Sequence, residues 1–127
     1  MAVCFTLLLS APASAEWNPS AWTGEEVVEV TTVDPKDGAY EFKVWLVVLD
    51  GHVYLRLGSR AAKRFEENTQ SPYIGVRIAG HEFPRVQAQP SPEMAQRVDK
   101  AMADKYWSDV FIRYFSHPLT VRLVAPE

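Results

Sequence analysis

Turn chemistry constrains this chain more than any other feature. Three β-rich runs follow one another with only turn residues between them. Glu26–Val33 carries Val27, Val28, Val30, Thr31, Thr32 and Val33, and the next six residues hold the turn signal Asp34-Pro-Lys-Asp-Gly38. Tyr40–Leu49 then runs into Asp50-Gly51, a dipeptide suited to the two-residue turn whose twist matches that of paired strands. His52–Leu57 completes the set. Such short connections join antiparallel neighbours, because a parallel crossover needs a dozen residues or more.

The faces follow from alternation. In the third run Val53, Leu55 and Leu57 share one side, and Tyr54 and Arg56 the other. The second run alternates from Tyr40 to Val44, then becomes apolar on both sides through Val44-Trp-Leu-Val-Val-Leu49, as a strand covered on both faces would. A short helix is expected from Ser59 to Asn68, with Ser59 as its N-cap and Ala61, Ala62 and Phe65 turned inward. Tyr73–Ala79 reads as a fourth strand with Ile74, Val76 and Ile78 inside, turning at Gly80. Glu82–Gln89 reads as a fifth, with Pro84 marking an edge or a bulge.

Ser91-Pro-Glu opens a second helix with an apolar stripe of Met94, Val98, Ala101 and Met102, extended by Tyr106. Trp107–His117 is an aromatic connector, with Trp107, Phe111 and Phe115 at helical spacing and Tyr114 beside them. Leu119–Val124 alternates as a sixth strand. Long helices do not alternate with strands, so a doubly wound parallel sheet is not expected. The reading is a mainly β (α+β) domain over residues 26–127: a six-stranded antiparallel barrel with two peripheral helices. Residues 16–25 form a lead-in whose Trp17 and Trp22 are expected on the outside of the domain.

The 127 residues suffice for one domain with a real core, and a net charge of −3 argues against a nucleic-acid surface. Ala2–Leu9 is apolar and Ala13-Ser-Ala15 has small residues at the positions a signal peptidase reads, so residues 1–15 are expected to be a secretory signal. No positive residue precedes the apolar run, so either the signal starts further upstream or the run is a chance apolar tail, which would leave the protein cytoplasmic. The run is too short to span a bilayer. Cys4, the only cysteine, lies in that segment. His52 and His81 adjoin glycines at hairpin tips, His117 precedes Pro118, and no pair has the spacing of a metal motif.

One segment points to a ligand: Tyr54-Leu-Arg-Leu-Gly-Ser-Arg-Ala-Ala-Lys-Arg-Phe-Glu-Glu-Asn68. A helix start carries free N–H groups and partial positive charge, and acids are favoured there. Here Ser59, Arg60 and Lys63 follow Gly58 instead, a combination that suits a bound phosphate. Each residue also has a plain structural reading. Lys63 can pair with Glu66 or Glu67, Arg56 with an acid, and Trp45 can serve as packing.

These residues resemble the flavin-binding split-barrel superfamily, which includes the pyridoxamine 5′-phosphate oxidases and the deazaflavin-dependent nitroreductases. The resemblance runs from about Val27 to Val124 and is sharpest from Val44 to Gly51 and from Val53 to Asn68. Ser59-Arg60 match the oxidases' phosphate grip, Ala61 stands where they have lysine, and Lys63 suits the lysine of the deazaflavin group. Asp104-Lys105-Tyr106 is similar to the later helix of small members, whereas Asn68 is followed by threonine rather than the frequent proline. The resemblance implies FMN or a deazaflavin held by Ser59, Arg60 and Lys63. It also implies a ring lined by the backbone of Trp45, Leu46 and Val47 with Arg56 or Tyr54 beside it, a small-molecule substrate, and a homodimer. Burial against the second subunit would then account for the doubly apolar half of the second strand. A flavin-free exported binding protein and, further off, a haem-handling protein are the alternatives.

Overall fold

The computed structural model describes residues 16–106 and 119–126. The expected signal with its cleavage site, Cys4, and the aromatic connector with His117 lie outside the described residues. Six strands close into one antiparallel barrel: β1 (Val27–Asp34), β2 (Gly38–Leu49), β3 (His52–Leu57), β4 (Tyr73–Ile78), β5 (His81–Pro90) and β6 (Leu119–Val124). Their order around the barrel is β1-β2-β3-β6-β5-β4, with β4 returning to β1. Helix α1 (Ser59–Glu66) links β3 to β4, and helix α2 (Ala95–Lys105) follows a short 3-10 turn after β5.

The turns have the geometry their residues favour. Asp34 accepts hydrogen bonds at Oδ1 from the amides of Lys36 and Asp37 (2.7 and 3.0 Å), and those donors hold its carboxyl below the ordinary carboxylate range. Asp50 and Gly51 both have positive φ (53° and 79°), as a two-residue turn between twisted strands requires. Pro84 lies in the part of β5 that faces β4 alone, since β6 pairs only with Gln87–Pro90; the register of β4 with β5 slips between Ile74/Val76 and Val86/Phe83, which makes Pro84 part of a bulge on a locally open edge.

The barrel interior is filled by the expected inward faces, including Val53, Leu55 and Leu57 of β3 and Ile74, Val76 and Ile78 of β4. Ala61 and Phe65 of α1 pack onto this core. The lead-in differs from expectation. Trp22 is 3% exposed and belongs to the core, and it meets Trp17 and Phe83 edge-to-face at 5.0 and 5.8 Å. The barrel has room at the end where β1 begins and β5 begins, and the two indoles fill it rather than lying outside.

The doubly apolar half of β2 is also explained within the chain. Leu46 and Val48 point into the barrel, while Val47 and Tyr54 lie on its outer surface under Val98, Met102 and Tyr106 of α2 and its end, with Trp45 and Leu49 at the margin. A helix of this chain, not a second subunit, covers that face.

Asn68 ties α1 to the sheet. Its side-chain oxygen accepts from the amides of Val33 (3.0 Å) and Gln70 (3.1 Å), and its Nδ2 donates to the Tyr73 carbonyl (2.9 Å). The side chain is buried, so its loss strands backbone groups of β1 and β4 away from water. Asn68→Ala is expected to lower unfolding free energy by about 2–3 kcal/mol in urea titration; a change below about 0.5 kcal/mol, the scale of ordinary surface substitutions, would contradict this role.

Candidate functional site

β2 is paired unequally along its two edges. From Gly38 to Trp45 it pairs with β1, but it pairs with β3 only from Leu46 to Leu49. Beyond Arg56 and Leu57 the chain departs from β2 into Gly58 and α1. The barrel is therefore split between the first part of β2 and the end of β3. A strand edge left open in this way offers unpaired backbone donors and acceptors.

A groove of about 450 Å³ lies at this split. Because the edge is open, residues from both faces of β2 reach it: Phe42 and Val44 from the inner set, Lys43 and Trp45 from the outer. Val27 of β1, Arg56 of β3 and Gly58, Ser59, Arg60, Ala61 and Arg64 of the helix entry complete most of the wall, with Tyr40 beside them. Four cations line it, and no carboxylate does among the described residues. Val27 and Tyr40, 38% and 37% exposed, are the large apolar side chains left most open among the described residues, and both belong to this groove.

The helix entry departs from expectation in detail. Gly58, not Ser59, is the N-cap; it is extended (φ −71°, ψ 178°), its carbonyl accepts from the Ala62 amide at 2.9 Å, and no side chain caps the helix. The ladder of β3 with β6 runs to Leu57, so the turn out of the sheet falls one residue earlier than the serine suggests. Ser59 is the first helical residue and is exposed, leaving its hydroxyl and the first amides open to the groove. The first turn carries no acid.

The expected site residues divide. Arg56, Gly58, Ser59, Arg60 and Trp45 come together in the groove. Lys63 is exposed and is not among its lining residues; Arg64 is. Helical spacing accounts for this, since Arg60 and Arg64 are four apart on one face while Lys63 is rotated from them. Arg64 is held by the Tyr40 ring, 3.6 Å from its guanidinium carbon, and approaches Asp34 at 3.9 Å. Leu46 and Val47 are buried away from the groove. The Leu46 amide donates to the Glu26 carbonyl, and its own carbonyl accepts from Tyr106 and Lys105. Val47 and Tyr54 lie under α2.

Arg56 has a side chain only 9% exposed and pairs with Asp99 of α2 at 3.0 Å. Burial lowers its pKa and the Asp99 carboxylate partly restores it. Next to it, Trp45 stacks on Tyr106 with ring centroids 4.6 Å apart and 10° between planes. The Tyr106 hydroxyl lies 2.7 Å from the Leu46 carbonyl and 2.8 Å from that of Glu26. Lys105 donates to the Glu25 and Leu46 carbonyls, and burial lowers its pKa.

A second concavity, of about 340 Å³, lies on the outside of β1, β4 and β5. Besides Glu41 and Arg85, its three other charged groups are paired, Arg77 approaching Glu29 and Glu82 at 3.9 and 3.7 Å, and Arg85 lies over Tyr73. His52 and His81 are exposed at hairpin tips, away from both hollows. Among the described residues no group of three or more His, Cys, Asp or Glu is placed to hold a metal ion, and no helix is long and apolar enough to cross a membrane.

No protein-family model matches the chain, and no curated protein matches it. Solved structures do. HutZ, the haem storage protein from Vibrio cholerae, is 14% identical, with 85% of this chain and 87% of that one covered at a TM-score of 0.63. An F420-H2 dependent reductase is 15% identical, covering 79% and 95% at 0.56. A FAD-binding protein from Mesorhizobium loti is 10% identical, covering 85% and 86% at 0.58. The fold is the six-stranded split barrel of these proteins. At such identities the likeness is one of fold, and proteins named for different ligands share it.

Burial raises the Tyr106 pKa to about 12. A neutral phenol is thus favoured in the folded state, and the stabilisation is complete below pH 10 and lost as pH rises from 10 towards 12. Stability of the wild type is expected to fall over that range by up to about 2 kcal/mol more than that of Tyr106→Phe. Equal slopes for the two proteins in denaturant titrations at pH 9 and 11 would contradict the assignment.

Proposed function

We propose that the groove binds an anionic flavin, FMN or a deazaflavin, and that the protein is a flavin-dependent oxidoreductase acting on a small molecule. One observation carries this reading. In a chain of net charge −3, four cations and the most exposed apolar side chains converge on one groove that no described carboxylate lines. That is the complement of a ligand with an apolar ring and a phosphate.

The residues present fit such a group. Ser59, Arg60 and the first amides of α1 hold phosphate by charge-assisted hydrogen bonds, and Arg64, braced by Tyr40, adds a second guanidinium. The open β2 edge offers backbone partners to the polar rim of the ring, and Val27, Val44 and Trp45 shield it from water. Arg56, fixed by Asp99, supplies positive charge near it. A bound flavin supplies hydride or electron transfer, while the protein binds, orients and excludes water. The reading includes the homodimer that the resemblance implies.

FMN is expected to bind saturably at micromolar concentration, with a flavin spectrum and quenched Trp fluorescence. Arg60→Ala/Arg64→Ala is expected to weaken it by on the order of 100-fold while the fold survives, since hydrogen bonds to charged groups contribute about 1.5–3 kcal/mol each. Riboflavin, without the phosphate, should bind weakly to wild type and be indifferent to the double substitution. Unchanged FMN affinity in the double variant would overturn the phosphate assignment. A Soret band with haem, in a protein that leaves FMN unbound, would overturn the flavin reading.

FMN affinity should also rise between pH 5 and pH 7.5, as a phosphate monoester gains its second charge near pH 6. The sign follows from the four cations, which favour the dianion. Riboflavin should show no such rise in the same titration. A flat FMN profile would contradict phosphate recognition.

A further inference from the structure

The groove is differentiated along its length. Ser59, Arg60 and Arg64 gather at the α1 end, where Arg64 lies against Tyr40. Trp45 and Val27 lie further along, and these two are register partners across β1 and β2. Tyr40 and Trp45 are five positions apart on one strand, about 17 Å at the usual rise. The start of α1 and Arg64 thus supply anion-binding groups, while Trp45 and Val27, with Arg56 beside them, supply an apolar surface the size of a ring.

Trp45 is also held as few surface aromatics are. One face of its indole is stacked on Tyr106. Tyr106 in turn is fixed by its hydroxyl against the Leu46 and Glu26 carbonyls and by its place at the end of α2, whose Val98 and Met102 are buried on the same sheet. The Lys105 ammonium donates to the same Leu46 carbonyl. A side chain stacked in this way loses little further freedom when a ligand packs on it, so contact with a ring is not offset by ordering the indole.

We propose that Trp45, braced by Tyr106, is the specificity-determining residue of the groove: it selects a planar aromatic ring, while Arg60 and Arg64 select the anion. This rests on the reading of the groove as an anionic-flavin site. It divides the labour between two sets of residues that can be altered separately. Trp45 contacts the ring, and Tyr106 is a positioning residue that acts through Trp45.

The test uses the full chain with three probes: FMN, riboflavin and ribose 5-phosphate, the last measured by competition with FMN. Trp45→Leu should weaken FMN and riboflavin by about tenfold or more, the scale of an aromatic stacking contact. It should leave ribose 5-phosphate within about twofold of wild type, a shift small on the scale where tenfold is 1.4 kcal/mol. Trp45→Phe keeps an aromatic face and should hold FMN within about threefold, the smaller ring retaining most of a stacking contact. It should also abolish most of the FMN-induced fluorescence quenching, which assigns the quenched indole among the four tryptophans. Tyr106→Leu should weaken FMN and not ribose 5-phosphate, a split that general loosening of the fold would not give. Should Trp45→Leu fail to fold, the quenching lost or kept in Trp45→Phe decides the matter.

Wild-type affinity and quenching in the Trp45 variants, with FMN binding still lost in Arg60→Ala/Arg64→Ala, would overturn this proposal and leave the phosphate site standing. Equal losses for FMN and ribose 5-phosphate in Trp45→Leu would also overturn it. No saturable FMN binding by the wild type would overturn both.

Discussion

Everything functional in this molecule depends on the unequal pairing of β2. Its last four residues are hydrogen-bonded to β3, its earlier ones to β1 alone. A barrel closed evenly around its girth would present alternating side chains outward and no backbone. Because β3 ends and turns into α1 while β2 continues, the sheet opens there, and side chains of both parities face one hollow. The same departure of the chain places the start of α1, with its free amides and Arg60, at the rim. Fold and site thus follow from one geometric fact.

The rest of the chain makes that opening tolerable. One end of the barrel is filled by Trp22 with Trp17 and Phe83, and α1 packs Ala61 and Phe65 on the core. The outer face of β2 and β3 is sealed by α2, whose end is fastened by Tyr106 and Lys105 to carbonyls of Glu25, Glu26 and Leu46. Buried carbonyls at a strand junction need donors, and here they come from the helix end that also stacks on Trp45. Packing, polar satisfaction and the groove wall share the same few residues. Apolar area is left open at Val27 and Tyr40, beside the cations.

Much of the architecture could be read from the residues because local chemistry and tertiary structure agree. Asp34 through Gly38 and Asp50-Gly51 turn where turn residues predict, and the alternation of Val53, Leu55 and Leu57 gives the true inner face. The departures have physical causes. Trp22 was expected outside because a lead-in has no periodicity; only the barrel's open end reveals where an indole fits. Both faces of β2 looked like a subunit contact, since nothing local says that residues fifty positions later will cover one of them. Ser59 is a good cap by type, but the β3–β6 ladder sets the turn at Gly58. Arg64 carried a usable signal, four residues after Arg60 on the same helix face, whereas Lys63 drew attention as a cation near the helix start, where an acid is the usual choice. Asn68 carried little: a lone polar residue after a helix gives no sign that it bridges β1 and β4.

The most direct test of the central claim is an amide and indole chemical-shift map of the 15N-labelled protein during FMN titration. The account predicts saturating shifts confined to Tyr40–Trp45, Arg56–Arg64 and the Trp45 indole, with the outer hollow of β1, β4 and β5 unmoved. Shifts centred on Tyr73, Arg77 and Arg85, or none at all at millimolar FMN, would contradict it.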